Sequence, residues 1–153
     1  MAFMLSSPAF EPNKPIPKQY SCEGRDVSPP LRWSDLPDNA KVVALICDDP
    51  DAPAGTWVHW VVYDVPADTK ELREGVPADE TLAGGAHQGV NDFKKVGYSG
   101  PCPPPGKPHR YFFKLYALDA PTGLEPRATK DKLLKAVKGH VVGEAQLIGT
   151  FQR

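Results

Sequence analysis

The sequence of 153 residues predicts one mostly β domain, antiparallel in its pairing, with a few short helices on the outside. Three observations predict it. The apolar runs are short, rich in β-branched and aromatic residues, and bounded by Pro, Gly or Asp. Only one segment combines a helical stripe with start and stop signals. The 18 prolines cluster between the apolar runs as loop stiffeners and form neither a repeat nor a linker. This length suits a single domain spanning residues 1–153 with a core of its own.

Taken in order, Phe3 to Ser7 and Leu31 to Trp33 are the weaker strand candidates. Lys41 to Cys47 and Val58 to Val65 are stronger, and a short helical turn is expected after Pro66. Arg110 to Leu118 and Glu144 to Phe151 complete the strands. The helix is expected over Lys130 to Lys138, with Thr129 as N-cap, Asp131 in the first turn, Lys135 and Lys138 in the last, and Gly139 at C′. Leu133, Leu134 and Val137 form its apolar stripe.

Alternation along a strand sorts residues by face. Val43, Leu45, Cys47 and Asp49 share one face, and Asp48 points the other way. His109, Tyr111, Phe113, Leu115 and Ala117 share a face opposite Arg110, Phe112, Lys114 and Tyr116. His109 and Tyr111 thus stand side by side at the end of an apolar column, and Asp49 ends a similar one. If both columns face one core, their polar tips meet at its rim.

Charge and composition remove several classes. Net charge is -1, and no Lys/Arg run exceeds the pair Lys94-Lys95, so the basic footprint of nucleic-acid binding is missing. The apolar runs are far below a membrane span, and the opening residues lack a basic, long-apolar leader pattern. A cytoplasmic protein without stable membrane insertion is expected. Cys22, Cys47 and Cys102 are odd in number and contain no C-x-x-C pair, so neither a disulfide framework nor a cysteine zinc site is expected. Cys47 reads as a small buried hydrophobe, while a reactive thiol stays open at Cys22 and Cys102.

Two superficial motifs fail on chemistry. Gly100 to Lys107 has the wrong glycine spacing for a phosphate loop, and its prolines lack the N–H groups that would cradle phosphate. Gly97-Tyr98-Ser99-Gly100 closes one residue early for a nucleophile elbow, and the prolines beyond it forbid the helix. Neutral imidazoles with one carboxylate could bind zinc or iron, but no His-x-His or His-x-x-x-His pairing supports it, so a metal is the minority reading; no cofactor motif is present and no cofactor is expected. Asp49-Pro50-Asp51-Ala52-Pro53 alone reads as a self-capping turn, whose Ala52-Pro53 bond is one where a cis peptide is cheap. His59 alone reads as a satisfied strand histidine between Trp57 and Trp60. Arg110 reads as structural or as the partner of a nearby carboxylate. His109 with Tyr111 on one face is harder to dismiss.

Together, Asp49-Pro50-Asp51-Ala52-Pro53 with His59-Trp60-Val61-Val62, Tyr98-Ser99-Gly100-Pro101, and His109-Arg110-Tyr111-Phe112-Phe113-Lys114-Leu115-Tyr116 resemble the two signature regions of the phosphatidylethanolamine-binding proteins (PEBPs). That family includes the Raf kinase inhibitor protein and the plant flowering-time proteins. Cys22-Glu23-Gly24, Ser28-Pro29-Pro30-Leu31-Arg32-Trp33, Gly89-Val90-Asn91-Asp92 and Leu147-Ile148-Gly149-Thr150-Phe151 resemble its compact prokaryotic, Raf kinase inhibitor-like branch.

The resemblance implies a two-sheet antiparallel β-sandwich with a small anion pocket at one end. The implied pocket residues are Asp49, His59, His109 and Tyr111, with Pro53 and Gly100 shaping the backbone and Ser99 and Asp51 as neighbours. The leading expectation is a non-enzymatic module that binds a phosphate- or carboxylate-bearing ligand through His59, His109 and Tyr111, with Asp49 orienting a histidine. Such a module could regulate or inhibit a kinase or another signalling partner. A protease-inhibitor-like protein-binding module is the alternative, and a hydrolase using the His/Asp/Tyr set ranks last. A homodimer is left open.

Overall fold

A computed structural model describes residues 2–153 of the chain. Its eight strands, all antiparallel to their neighbours, are β1 (Met4–Ser6), β2 (Leu31–Ser34), β3 (Val42–Asp49), β4 (Trp57–Pro66), β5 (Glu71–Leu72), β6 (His87–Gln88), β7 (His109–Leu118) and β8 (Val141–Phe151). They form a three-stranded sheet ordered β1-β2-β5 and a five-stranded sheet ordered β6-β4-β3-β7-β8. One α-helix, α1 (Lys130–Val137), and 3₁₀ turns at Lys18–Tyr20 and Ala83–Gly85 lie around them. The expected two-sheet antiparallel architecture is present.

Strand β3 is the middle of the large sheet, and every one of its residues is buried. Val43, Leu45 and Cys47 join Trp33, Trp60, Phe113 and Leu115 in the core between the sheets. Val42, Ala44 and Ile46 face the other way, against Val61, Tyr63, Leu133 and Val137 beneath α1. Each large side chain so enclosed contributes about 1.5–3 kcal/mol of apolar transfer energy. The alternation expected for β3 and β7 holds on both faces.

Strand β4 does not alternate throughout. Cys47 pairs with Trp60 but Asp48 pairs with Val58, so one step along β3 spans two along β4 and His59 is the extra residue. A β-bulge of this kind re-aims side chains and strengthens the local twist. Here it leaves neighbours His59 and Trp60 on the same side, Trp60 in the core between the sheets and His59 in a cavity at its end. A second irregularity further along β4 includes Asp64, whose φ is +58°.

Helix α1 starts where its cap predicts. The Thr129 hydroxyl accepts from the Lys132 amide at 3.2 Å, and Gly139 takes φ +83° just past the C-cap Lys138. The helical turn expected after Pro66 is a single hydrogen-bonded turn, the Thr69 amide donating to the Pro66 carbonyl at 2.9 Å, and it does not extend into a helix. Pro66 still pairs with Val42, and the Ala67 amide donates to the Lys41 carbonyl, so sheet bonding continues where a helix would have to begin. All described peptide bonds are trans, that of Ala52-Pro53 included.

Thr129→Ala removes this cap and should lower stability by about 1 kcal/mol, read as an earlier urea midpoint at unchanged slope.

Candidate functional site

The ends of three neighbouring strands meet at one edge of the sandwich. Asp49 ends β3, Trp57 and His59 open β4, and His109 and Tyr111 open β7. Around them lies a cavity of about 360 Å³, within the usual range for small-molecule sites. Its remaining wall comes from the 52–54 turn, Phe93 and the 102–104 segment. No Lys or Arg lines it.

Each histidine is held by its Nδ1 atom. His109 Nδ1 lies 2.7 Å from Asp49 Oδ2, and the other carboxylate oxygen of Asp49 accepts from the Asp51 amide at 2.7 Å. His59 Nδ1 lies 2.6 Å from the Ser99 carbonyl oxygen. A carbonyl and a carboxylate only accept, so both Nδ1 atoms carry hydrogen and donate. In the neutral ring the Nε2 atom is then a lone-pair acceptor, and it becomes a donor only on protonation. Among the described residues neither Nε2 has a hydrogen-bond partner.

Tyr111 stands between them. Its ring meets His59 edge-on at 5.2 Å between centroids, and its hydroxyl is buried without a partner among the described residues. Burial first, then the Asp49 carboxylate, pushes the phenol well above the ordinary tyrosine range, so the group remains an O–H donor. For His59, burial dominates and lowers the imidazole below its usual value, against an opposing pull from the Ser99 carbonyl and Asp49.

The rim is fixed separately. The Arg110 guanidinium binds Asp51 through Nε and Nη2, each at 2.9 Å, and its backbone amide donates to the same carboxylate at 2.9 Å. These bonds hold the Asp51 carboxyl at about 2. The wall segment is anchored from behind. The Gly100 amide donates to Asp26 Oδ1 at 2.7 Å, and a Cβ at Gly100 would collide with the Tyr20 carbonyl oxygen. The Asn91 side chain gathers the loop that carries Phe93, donating to Gly97 O and Ser99 Oγ and accepting from the Phe93 and Lys95 amides.

Contrary to the expectation from cysteine count, Cys22 and Cys102 form a disulfide, with Cα atoms 5.4 Å apart and a sequence separation of 80. Two separate loops converge there, and the Cys22 amide also donates to the Pro101 carbonyl at 3.1 Å. Spacing along the chain carries no sign of such a meeting. Cys47 is free and buried, and burial raises its thiol well above the usual value.

Of the expected site residues, Asp49, Pro53, His59, His109 and Tyr111 all line the cavity. Ser99 and Gly100 are placed behind it, Ser99 through its carbonyl rather than its hydroxyl. Asp51 belongs to the rim latch with Arg110, outside the cavity lining. Sequence reasoning missed Trp57 and Phe93, whose rings meet edge-on at 5.5 Å to build the aromatic wall, and it assigned no role to Asn91 or Asp26. Asn91-Asp92 after a glycine is a loop-organising signal of the side-chain-to-backbone type and could have pointed to the clamp.

A two-sheet antiparallel sandwich with a histidine-floored cavity at the strand ends defines a small pocket-bearing β domain. The chain belongs to the phosphatidylethanolamine-binding protein family, whose model matches residues 6–152. It is 52% identical over 149 residues to a UPF0098 protein of Methanothermobacter thermautotrophicus, covering 97% of this chain and 98% of that one. The crystal structure of CT736 from Chlamydia trachomatis, described as a PEBP homolog, superposes with a TM-score of 0.91 at 43% identity, covering 99% of this chain and 98% of that one. E. coli YbcL, described as a member of the mammalian PEBP family, superposes with a TM-score of 0.93 at 31% identity, over 100% and 99% of the two chains.

Replacing both Cys22 and Cys102 by Ser should lower stability by about 2–4 kcal/mol in urea unfolding, because the bond closes a long loop. A loss below about 1 kcal/mol would mean that the closed loop adds little constraint to the unfolded chain.

Proposed function

We propose that the protein is a binding module for small anionic ligands of the phosphate or carboxylate type, and that it holds them without turning them over. The observation that carries this reading is the buried Tyr111 hydroxyl, which has no partner among the described residues and shares the cavity with two histidines whose Nε2 atoms are also unpartnered. A buried polar group left unsatisfied is costly, so a site that keeps one is built for something that completes it. Binding rather than hydrolysis is supported by Ser99, whose hydroxyl accepts from Asn91 while only its carbonyl meets His59. Ser99 therefore presents no hydroxyl nucleophile to the imidazole.

Protonation should strengthen the site. Burial lowers His59, so its charged form appears only below the ordinary imidazole value near 6.5. The sign of the linkage follows: as pH falls below about 6.5, the unfolded chain takes up a proton that the folded site resists, and stability declines. An anion in the pocket opposes that decline.

A protein partner engaging the rim, a kinase or a protease, is a second reading. It draws on Phe93, which is 37% exposed at the mouth of the cavity beside exposed Lys94 and Lys95. No described helix is long and apolar enough to cross a membrane. In a reducing compartment the Cys22–Cys102 bond would persist only if it resisted the thiol pool there.

Tyr111→Phe should weaken inorganic phosphate binding by roughly 10- to 100-fold in calorimetric titration, the value of one hydrogen bond to a charged group. It should leave stability unchanged or slightly raised, since the hydroxyl bonds nothing among the described residues. Unaltered phosphate affinity would remove Tyr111 from the site. On the second reading, a pull-down partner should be lost in a Lys94→Glu, Lys95→Glu variant and retained in His109→Ala; the reverse pattern would count against a rim interface.

A further inference from the structure

The charge and hydrogen-bond inventory of the cavity sits oddly with a simple anion site. No Lys or Arg lines it, and its one fixed charge is the Asp49 carboxylate. The surrounding charges do not correct this. Asp51 adds a second carboxylate at the rim, where Arg110 is committed to it. Asp26 lies behind Gly100, and Arg153 lies behind the wall with its Nε donating to the Pro103 carbonyl at 2.6 Å. With its imidazoles neutral, the pocket therefore sets two acceptors, His59 Nε2 and His109 Nε2, beside the Tyr111 hydroxyl donor. An oxyanion that carries no hydrogen would set its lone pairs against those of both imidazoles.

We propose that this pocket selects oxyanions bearing a titratable O–H, namely phosphate, phosphonate and their monoesters, over isosteric anions without one, such as sulfate and sulfonate. The selection rests on the anion-binding reading above and deepens it. Asp49 and the Ser99 carbonyl are the positioning residues: by taking the Nδ1 hydrogens they force both Nε2 atoms to be acceptors. A phosphate-type ligand brings its own proton, which it places on the O–Nε2 axis whichever atom finally holds it. Sulfate is fully ionised, so each proton it needs must come from solvent onto an imidazole. Lone-pair clashes of this kind give strong discrimination, since a site built to bond a ligand O–H rejects the analogue lacking it.

The test is calorimetric titration of the full chain with two isosteric pairs, inorganic phosphate against sulfate and methylphosphonate against methanesulfonate, at pH 5.5 and 7.5. Repeats in buffers of different ionisation enthalpy count the protons taken up. At pH 7.5 the O–H-bearing member of each pair should bind at least about tenfold more tightly. Sulfate should draw more protons from the buffer than phosphate does, and the two affinities should converge at pH 5.5.

Asp49→Asn separates this from a structural role. The Asn side-chain oxygen can still accept from the Asp51 amide, while its amide nitrogen can only donate toward His109 Nδ1. The tautomer then inverts and His109 Nε2 becomes a permanent donor. Sulfate affinity at pH 7.5 should rise relative to phosphate, whereas a merely loosened or less acidic site would change both alike. Equal affinities for phosphate and sulfate at pH 7.5 in the unmodified protein would overturn the selectivity and leave the anion reading intact. No binding of any of the four anions at either pH would overturn both.

Discussion

Two adjacent carboxylates at the end of a strand buried on both faces constrain the rest of this molecule. Asp48 and Asp49 are 1% and 3% exposed, and alternation sends them in opposite directions. A buried carboxylate must be paired or hydrogen-bonded, and stripping an ion pair of one partner costs about 3–5 kcal/mol. Asp48 meets Lys130 Nζ at 2.7 Å and Lys114 Nζ at 3.5 Å, which ties the start of α1 to the large sheet. Asp49 meets His109 and the Asp51 amide, which ties β7 and the 49–53 turn together on the opposite side. One dipeptide thereby fixes a helix on one face and a cavity on the other.

The bulge at His59 adds the second half of the cavity by the same economy of means. Strict alternation would have turned His59 toward the α1 side with Val61, away from Tyr111. One inserted residue in the β4 register brings it round and puts its Nδ1 against the Ser99 carbonyl, which in turn depends on Asn91 and Gly100 for its place. The site is thus a set of side chains with little freedom, held by backbone carbonyls, a carboxylate and proline-rich walls. Little ordering remains to be done when a ligand arrives.

Much of this was legible in the sequence, unevenly. The long strands could be read because each has at least one buried face, and period-two patterning records that directly. The opposed directions of Asp48 and Asp49, and the shared face of His109 and Tyr111, followed from the same rule. Helix α1 was legible through Thr129 and Gly139, whose local chemistry fixes its ends. Strands β5 and β6 were not, since two residues cannot show a period. The orientation of His59 was hidden because a bulge breaks the very alternation used to read it. The Cys22–Cys102 bond and the Asp26–Gly100 contact were hidden because both join loops far apart in sequence, where no local pattern records proximity.

That disulfide also partitions the chain covalently. Residues 22–102 form a closed ring holding β2 to β6, while β7, α1 and β8 belong to an open tail that lies alongside it. Asp49 and His59 are on the ring, and His109 and Tyr111 are on the tail. The cavity is therefore a seam between two topologically distinct parts of one polypeptide. If the tail strands peel away from β3, the pocket divides into halves without any thread having to pass through the ring. A ligand that touches both halves acts as a clasp across that seam, and its binding energy is drawn directly into keeping the two parts of the fold together.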